Sequence, residues 1–580
     1  MRAWIAGTVE LASRDVRPAR HPQELTIGPL ANATLAANTR GSPMPWLLDG
    51  QRTPLHRPDC ALAEQVVDLA ERQRAAAMNP AGRFGGTAEP LQVVFPSRFD
   101  GVPEKDAHQL RGLPQLFEAN RAPLEGELGV SLSLVQTPFD LHGPAWLVGP
   151  APCTPELARL NLPPARAPVV RRLPAERMLI TDAPDASGLF ESLSLLRSFA
   201  WATENTLEAQ LCSSEEDAFL RAAEEIAHTW PSFQRRAVSW LDLCVRYANA
   251  MAVSLAPLDA LQMLVAQLED AHTAVRSSDR IVPPSFRARI AGDGVALHEV
   301  PEHSAAWCAG VREGHRLIEI DWSSAWQRIG ATPHHRPFAV PFRALSGEPG
   351  QSADFVAVAP NGTAAHWTES YQLPGPDSLV SWRALRSGAG YVRIKQWPSS
   401  DRIDELVDAA FSAFPNAPGL IVDLRGNPGG SGSVAGRFRD RFLRKRTLLG
   451  TIRFTQPDGA LMPPEELWAE PAPSNQRWNS AVRFLTDGGT YSASEDALLG
   501  LQGLEHVQIL GEPSGGGSGR ARSVRLLPGL RLTISSCLTF DRLGRCVEGS
   551  GIAVDRVIPM GGHMHTAWEH ELLAAADRGW

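Results

Sequence analysis

Lysine is almost absent from this chain of 580 residues and occurs only as Lys105, Lys395 and Lys445. Arginine therefore carries nearly all of the positive charge, and the formal net charge is −8. No run of basic residues marks a surface for nucleic acid, so a nucleic-acid partner is not expected. Because no lysine follows Lys445, a reaction in the C-terminal part of the chain must take its base from another residue type.

Cysteine is also scarce, and long apolar runs are missing. The seven cysteines are scattered without close pairs, which argues against a disulfide framework and against a zinc site. We therefore expect no metal and no cofactor. The longest apolar stretches, such as residues 261–268, fall far short of a membrane span. The first residues of the chain make a poor secretory signal, which favours a cytoplasmic location over export.

The length of the chain predicts several domains rather than a single core. Residues 1–175 are rich in Pro, Ala, Gly and Arg and form an accessory region whose role the residues do not indicate. Residues 176–284 carry apolar residues at helical spacing, as in 239–255. Strand patterns dominate 285–375, and buried strands alternate with amphipathic helices over 376–580. The predicted fold class is multidomain α/β.

Two segments in the last region carry residue types that catalysis needs. At 419–430 an apolar strand leads into the loop Arg-Gly-Asn-Pro-Gly-Gly, whose glycines let backbone N–H groups face a ligand. At 484–502 a strand ends at Asp487, and Ser492 then precedes a helix, next to unpaired N–H groups of its first turn. Taken alone, such a serine is more often a helix cap, with Glu495 in the first turn, than a nucleophile.

Together the two segments resemble the C-terminal processing, or tail-specific, protease family, which shares its core with the tricorn proteases. The resemblance implies a crotonase-like ββα catalytic core at 376–580, a PDZ-like domain at 285–375 and a helical layer before it. It also implies that Ser492 is the nucleophile of a serine endopeptidase that acts on protein or peptide substrates through their C-terminal tails. Further landmarks of the family follow in order, namely Asp-Ala-His-Thr at 270–273, the PDZ-like segment 294–321, a strand at 390–397, Gly-Glu-Pro-Ser-Gly-Gly-Gly at 511–517 and Gly-Ile-Ala-Val-Asp at 551–555.

The same resemblance implies how a substrate is held. Amides of Gly429 or Gly430 and of Ala493 would form the oxyanion hole. In the PDZ-like domain, one loop and the strand after it would bind a peptide by strand addition and capture a terminal carboxylate. The residues concerned are Gly292, Asp293, Gly294 and Val295.

The catalytic base departs from the commonest pattern of the family. Most members use a lysine, and Gly517 stands at its position here; tricorn-type enzymes use a histidine where this chain has Arg393. The secreted chlamydial protease of the family takes its histidine from the position of His272 and its acid from that of Glu548. The resemblance therefore implies a Ser-His-Glu triad, with activity rising at a pKa of about 6–7 as the imidazole loses its proton.

Other assignments of the base and the acid stay open. Asp270 and Asp555 are rivals of Glu548 for the acidic role, and Lys395 is an outside candidate for the base. His272 has a merely structural role in family members that use lysine, and it could have that role here.

The leading alternative function is a catalytically inactive relative that binds peptides or other ligands, since a missing lysine is what a degenerate site would show. Acyl-CoA chemistry of the crotonase type shares the architecture, but nothing in the residues indicates a nucleotide pocket. A homo-oligomer is a further open prediction. His334 and His335 fit no compact set of metal ligands and are interpreted as solvated loop residues.

Overall fold

The computed structural model describes residues 57–78 and 91–97, short stretches between 110 and 208, and most of 211–579. Within the last range the description leaves out residues 237, 278–280, 293, 374, 376–377, 456–459 and 559–564. Asp293, one of the predicted peptide-binding residues, therefore lies outside the described residues. The described elements form a mixed α/β architecture in which helices pack against several sheets.

The N-terminal sheet has six strands in the described part of the chain. They are Leu91–Val94 (β1), Leu132–Leu134 (β2), Ala145–Val148 (β3), Val169–Leu173 (β4), Met178–Asp182 (β5) and Thr206–Glu208 (β6). Their order is β2-β1-β3-β5-β4-β6, parallel from β2 to β5 and antiparallel through β4 to β6. The predicted boundary between residues 175 and 176 is wrong, because it cuts through this sheet.

A layer of helices follows the N-terminal sheet. It contains Ala61–Met78 (α1), Glu215–Thr229 (α2), Trp240–Val253 (α3) and Pro257–Ala266 (α4), and the strand Ala274–Ser277 (β7) comes next. The side chain of Ser214 caps the N-terminus of α2 by accepting from the Asp217 N–H. Buried apolar residues of the helices, such as Phe219 and Trp240, pack in one cluster with Leu532 and Ile534 from the C-terminal part of the chain. The helical layer therefore packs directly on the C-terminal part of the chain.

The region predicted to be PDZ-like forms a five-stranded antiparallel sheet, here called the middle sheet. Its elements are Arg287–Ala291 (β8), Gly294–Glu299 (β9), Ala305–Cys308 (α5), Arg316–Ile318 (β10), Trp322–Arg328 (α6), Arg336–Ala344 (α7), Ser352–Val358 (β11) and Ala364–Ser370 (β12). The strand order is β12-β11-β10-β9-β8, so β9 pairs on both sides. Strand addition at Val295 is therefore wrong as predicted, and Gly292 lies in the tight turn that joins β8 to β9, at φ 62°. Among the described strands of this sheet, β8 and β12 are the edges.

The predicted catalytic core contains the elements Val380–Ala384 (β13), Gly390–Ile394 (β14), Arg402–Ser412 (α8), Gly419–Asp423 (β15), Gly432–Asp440 (α9), Thr447–Phe454 (β16), Glu465–Ala469 (β17), Ala481–Thr486 (β18), Ala493–Leu498 (α10), Val507–Gly511 (β19), Ala521–Leu527 (β20), Leu530–Ser535 (β21), Cys537–Asp541 (β22), Arg556–Val557 (β23) and His565–Ala576 (α11). Six of these strands form one sheet, here called the catalytic sheet, in the order β13-β14-β15-β18-β19-β23, all parallel except β13. Two small sheets, β17-β16-β22 and β20-β21-β7, complete the core.

Both faces of the catalytic sheet are buried, as the continuous apolar runs of its strands predict. Leu420 and Val422 of β15 face the layer of α8, α9 and α10, whereas Ile421 packs in the cluster that contains Leu572 of α11. Because β15 and β18 run parallel, the loops after them lie at the same edge of the sheet, where ligands bind in such folds. Among the described helices, none combines the length and the apolarity that a membrane span requires.

Candidate active site

Ser492 lies in a strained turn between β18 and α10. Its φ and ψ are 56° and −123°, a conformation that is costly for a residue with a side chain. The turn is held because the Ser492 N–H donates to Glu495 Oε2 (3.0 Å) and the Tyr491 N–H donates to the carbonyl of Asn427 (2.9 Å). The glycine loop approaches so closely that a Cβ at Gly429 would lie 2.7 Å from the Cβ of Ser492.

The hydroxyl of Ser492 contacts the imidazole of His272. Ser492 Oγ and His272 Nε2 are 2.9 Å apart, although 220 positions separate the two residues in the chain. The backbone of His272 is fixed on both sides, since its N–H donates to Asp270 Oδ1 (2.9 Å) and its carbonyl accepts from the Thr533 hydroxyl (2.6 Å). The structure therefore brings together the serine and the histidine that the sequence singled out.

Burial lowers the pKa of His272 from its usual value of 6.5 to about 4. Asp270 opposes this shift, while the positive charges of Arg276 and Arg343 add to it. At neutral pH the imidazole is therefore unprotonated, with Nε2 able to accept the hydroxyl proton of Ser492.

The other ring nitrogen of His272 does not meet the predicted acid. His272 Nδ1 is buried and has no hydrogen-bond partner within the part of the chain described. Glu548 Oε1 accepts instead from the Ser518 N–H (2.6 Å), which is its one hydrogen bond to a described residue. Burial, reinforced by the negative charge of Asp270, raises the pKa of Glu548 well above its usual value. The expected direct contact between Glu548 and the imidazole is absent from this structure.

The rival acids are both occupied by other groups. Asp270 accepts from the His272 backbone through Oδ1 and from Trp230 Nε1 (3.0 Å) and the Thr273 hydroxyl (2.7 Å) through Oδ2. Asp555 Oδ2 accepts from the Ile509 N–H (2.8 Å) in β19 and so joins the chain end to the sheet. Neither carboxylate is hydrogen-bonded to the imidazole ring.

Lys395, the outside candidate for the base, forms an ion pair away from the serine. Its Nζ lies 2.7 Å from Glu299 Oε1, at the end of β9, and Arg393 Nη2 lies 2.8 Å from Glu299 Oε2. These ion pairs join the middle sheet to the first parallel strand of the catalytic sheet. Lys395 is therefore engaged as a cation in this structure and does not contact Ser492.

The two amides of the glycine loop differ in their partners. The Gly429 N–H donates to Asn427 Oδ1 (2.9 Å), so the prediction that it serves the oxyanion hole is not supported. The backbone of Trp397 forms a parallel bridge with Gly430, because its N–H donates to the Gly429 carbonyl and its carbonyl accepts from the Ser431 N–H. In such a bridge the Gly430 N–H points away from Trp397. The amides of Gly430 and Ala493 form no hydrogen bond with the described residues, and Gly430 and Ser492 line one cavity.

Glu495 has a larger role than the first-turn position indicated. Its side chain is fully buried. Oε2 accepts hydrogen bonds from the N–H groups of Ser492 and Gly517 (2.8 Å for Gly517). Oε1 accepts from the Ser514 hydroxyl (2.6 Å) and the Gly516 N–H (2.8 Å). Burial raises the pKa of Glu495 to about 7, against the effect of these four donors. Glu495 therefore ties the turn of the nucleophile to the segment 514–517.

His335 also contributes to the site, so its interpretation as a solvated loop residue is wrong. Only 5% of it is exposed, its ring stacks on Tyr491 at 4.1 Å and 5°, and its Nδ1 lies 2.7 Å from the Gly488 carbonyl. The ring of Tyr491 in turn lies 4.9 Å from that of His272. These rings form a wall behind the imidazole, which an isolated pair of histidines in the sequence did not indicate.

A serine hydroxyl beside a neutral imidazole, with two unpaired amides close by, is the arrangement of a serine hydrolase. Residues 388–558 match the family model described as peptidase family S41. The match covers less than half of the chain, and together with the site it identifies the chain as a serine peptidase. His272 lies outside the matched range.

Several solved structures resemble the chain. A candidate peptidase from Parabacteroides merdae ATCC 43184 is 22% identical, and the match covers 63% of this chain and 99% of that one, with a TM-score of 0.39. The photosystem II D1 C-terminal processing protease is 17% identical, with 62% and 97% covered and a TM-score of 0.42. Mature CPAF complexed with lactacystin is 13% identical, with 63% and 98% covered and a TM-score of 0.48.

Proposed function

We propose that this serine peptidase is an endopeptidase in which Ser492 is the nucleophile, His272 the general base and Glu548 the acid that orients the imidazole. The observation that carries the proposal is the distance of 2.9 Å between Ser492 Oγ and His272 Nε2. The depressed pKa of His272 supports it, because the base must be unprotonated to accept a proton.

The reaction would follow the usual course of acyl transfer. Ser492 Oγ attacks the carbonyl carbon of the peptide as its proton passes to His272 Nε2. The amides of Gly430 and Ala493 donate to the resulting oxyanion. The imidazolium then gives its proton to the leaving amine, which completes the acyl-enzyme, and a water molecule deprotonated by His272 releases the acid product and restores the hydroxyl.

The choice of Glu548 over Asp270 follows from the partners that each carboxylate already has. Both oxygens of Asp270 accept hydrogen bonds from described groups, whereas Glu548 accepts only one, through Oε1. Its second oxygen accepts no hydrogen bond from the described residues, so we assign it as the acceptor for the unpaired His272 Nδ1 during the reaction. A buried imidazolium needs such a partner during the reaction.

Selection of C-terminal tails is the finer part of the proposal. A tail would add as a strand to β8, an edge of the middle sheet, rather than to the interior β9. A cavity of about 310 Å³ supports this route, because its lining includes Phe286 and Ala288 beside β8 as well as Ser492. A PDZ-like docking role for this sheet and assembly into a homo-oligomer both stay predictions.

The function can be tested with casein and with fluorogenic peptides that end in an unstructured tail. We expect cleavage by the wild type, none by Ser492→Ala, and a lower KM for tailed peptides than for blocked ones. If Ser492→Ala and the wild type both bind tailed peptides and neither cleaves any, the inactive ligand-binding relative is the better account.

A further inference from the structure

Two arginines lie next to His272, and no carboxylate of the described residues forms an ion pair with either of them. Arg276 in β7 and Arg343 in α7 both donate to the carbonyl of Ala271, the residue before His272, Arg276 at 2.7 Å. Neither guanidinium forms an ion pair with any carboxylate of the described residues, and the buried Arg276 Nε makes no hydrogen bond with them. One carbonyl oxygen is therefore the shared acceptor of two cations.

Both guanidinium groups face the substrate cavity. Arg276 and Arg343 line the same 310 Å³ cavity as Ser492 and His272, and Arg287 of β8 lines it further along. No Asp or Glu is present among the described residues of this lining. The wall beside the nucleophile is therefore cationic over the part of the chain described.

The two cations destabilise each other in this arrangement. Burial lowers the pKa of Arg343 to about 9, and the positive charge of Arg276 acts in the same direction. Asp270 favours both cations electrostatically, but its oxygens already accept from His272, Trp230 and Thr273. A partner of opposite charge stabilises partly buried charges, and no described carboxylate supplies one through an ion pair here.

We propose that Arg276 and Arg343 form a subsite that binds a carboxylate of the substrate beside the scissile bond. Planar guanidinium groups bind carboxylates through paired N–H donors, and the anion would cancel the repulsion between the two cations. The carboxylate belongs either to an Asp or Glu side chain or to the C-terminus of the substrate. The inference rests on the proposed function, since it makes these arginines the specificity determinants of the Ser492 peptidase.

Three peptides of one sequence separate the two sources of the carboxylate. The first has a Glu near the scissile bond and an amidated end, the second has Gln and a free terminal acid, and the third has Gln and an amidated end. We expect kcat/KM of the wild type to be about 10- to 100-fold higher for one of the first two peptides, which carry a carboxylate, than for the third peptide, which carries none. The preference should fall below about 3-fold in Arg276→Met and in Arg343→Met, and persist in Arg386→Met, which changes an exposed arginine outside the cavity.

Binding of the same peptides to Ser492→Ala, measured by fluorescence anisotropy, gives a readout that does not need turnover. If the acidic peptides bind Ser492→Ala no more tightly than the neutral one, the subsite is rejected even when the wild type cleaves all three. If the acidic preference is present and depends on Arg276 and Arg343, but cleavage does not depend on Ser492, the subsite stands and the proposed function fails. Thermal unfolding of each variant checks that the fold is retained.

Discussion

The hydroxyl of Tyr491 occupies the space that a side chain at Gly517 would need, since a Cβ built at Gly517 overlaps that hydroxyl. Gly517 is the position at which the resemblance to the tail-specific proteases implies the lysine of the more common dyad. Tyr491 is buried, precedes the nucleophile and lies against the rings of His272 and His335. The aromatic wall that supports the histidine therefore leaves no room for the lysine.

A lysine at position 517 should accordingly damage the protein. We expect Gly517→Lys to lower the free energy of unfolding by about 1–3 kcal/mol or more and to abolish peptidase activity, because the core must be overpacked around Tyr491. Chemical denaturation of Gly517→Lys measures the effect. Gly375→Lys, at a site where a Cβ meets open space, is the control and should unfold like the wild type. Wild-type activity and stability in Gly517→Lys would contradict this account.

The pH dependence should reflect a depressed histidine rather than an ordinary one. Because burial holds the pKa of His272 at about 4, the decline of kcat/KM that belongs to the imidazole should come near pH 4, well below the decline that protonation of Glu495 causes near pH 7. This revises the value of about 6–7 expected from the sequence.

The same histidine affects stability. The unfolded chain binds this proton at about pH 6.5, so the folded state also loses stability, by up to about 3 kcal/mol, as the pH falls from there to 4. Circular dichroism at each pH separates the two effects, and a catalytic limb at 6–7 that persists in folded Glu495→Gln would contradict the assignment.

The two acids near His272 should respond differently to amide substitution. Glu548→Gln keeps an acceptor for the Ser518 N–H, so we expect a normal melting temperature and a loss of kcat of about 100-fold or more through weaker support of the imidazolium. Asp270→Asn places an amide against donors from Trp230, Thr273 and His272, so it should lower the melting temperature. Full activity in Glu548→Gln, with a stable but inactive Asp270→Asn, would transfer the acidic role to Asp270.

Glu495 should prove necessary for the geometry of the nucleophile. In Glu495→Gln an NH₂ group must face two of the four donors that the carboxylate now accepts from. We expect a loss of about 2–4 kcal/mol in the free energy of unfolding and at least a tenfold loss of kcat. Glu505→Gln, which changes an exposed glutamate after α10, is the matched control and should alter neither quantity by more than experimental error.

Much of the fold was accessible from the sequence because its signals are local. The apolar runs that became β15 and β18 and the glycine loop after β15 predict a buried parallel sheet with loops at one edge. The N-terminal sheet was missed as a unit because its strands are short and separated by turn residues. Its last two strands, β5 and β6, fall beyond the boundary that composition suggested.

The candidate site was predictable only where the family pattern reaches. Ser492 and His272 could be paired because ordered motifs flank both. The partners of Glu548 and Asp270 could not be inferred, since each carboxylate is oriented by hydrogen bonds to distant segments, such as Ser518 for Glu548 and Trp230 for Asp270. Stacking of His335 on Tyr491 likewise depends on tertiary packing that has no spacing rule.

The central claim is that His272 activates Ser492, and labelling by a fluorophosphonate probe tests it most directly. The modified residue is mapped by mass spectrometry, and the labelling rate is compared among the wild type, Ser492→Ala and His272→Ala at neutral pH. We predict modification at Ser492 in the wild type, none in Ser492→Ala, and a rate at least about 100-fold lower in folded His272→Ala. Equal labelling of His272→Ala and the wild type, or modification of a different residue, would contradict the account.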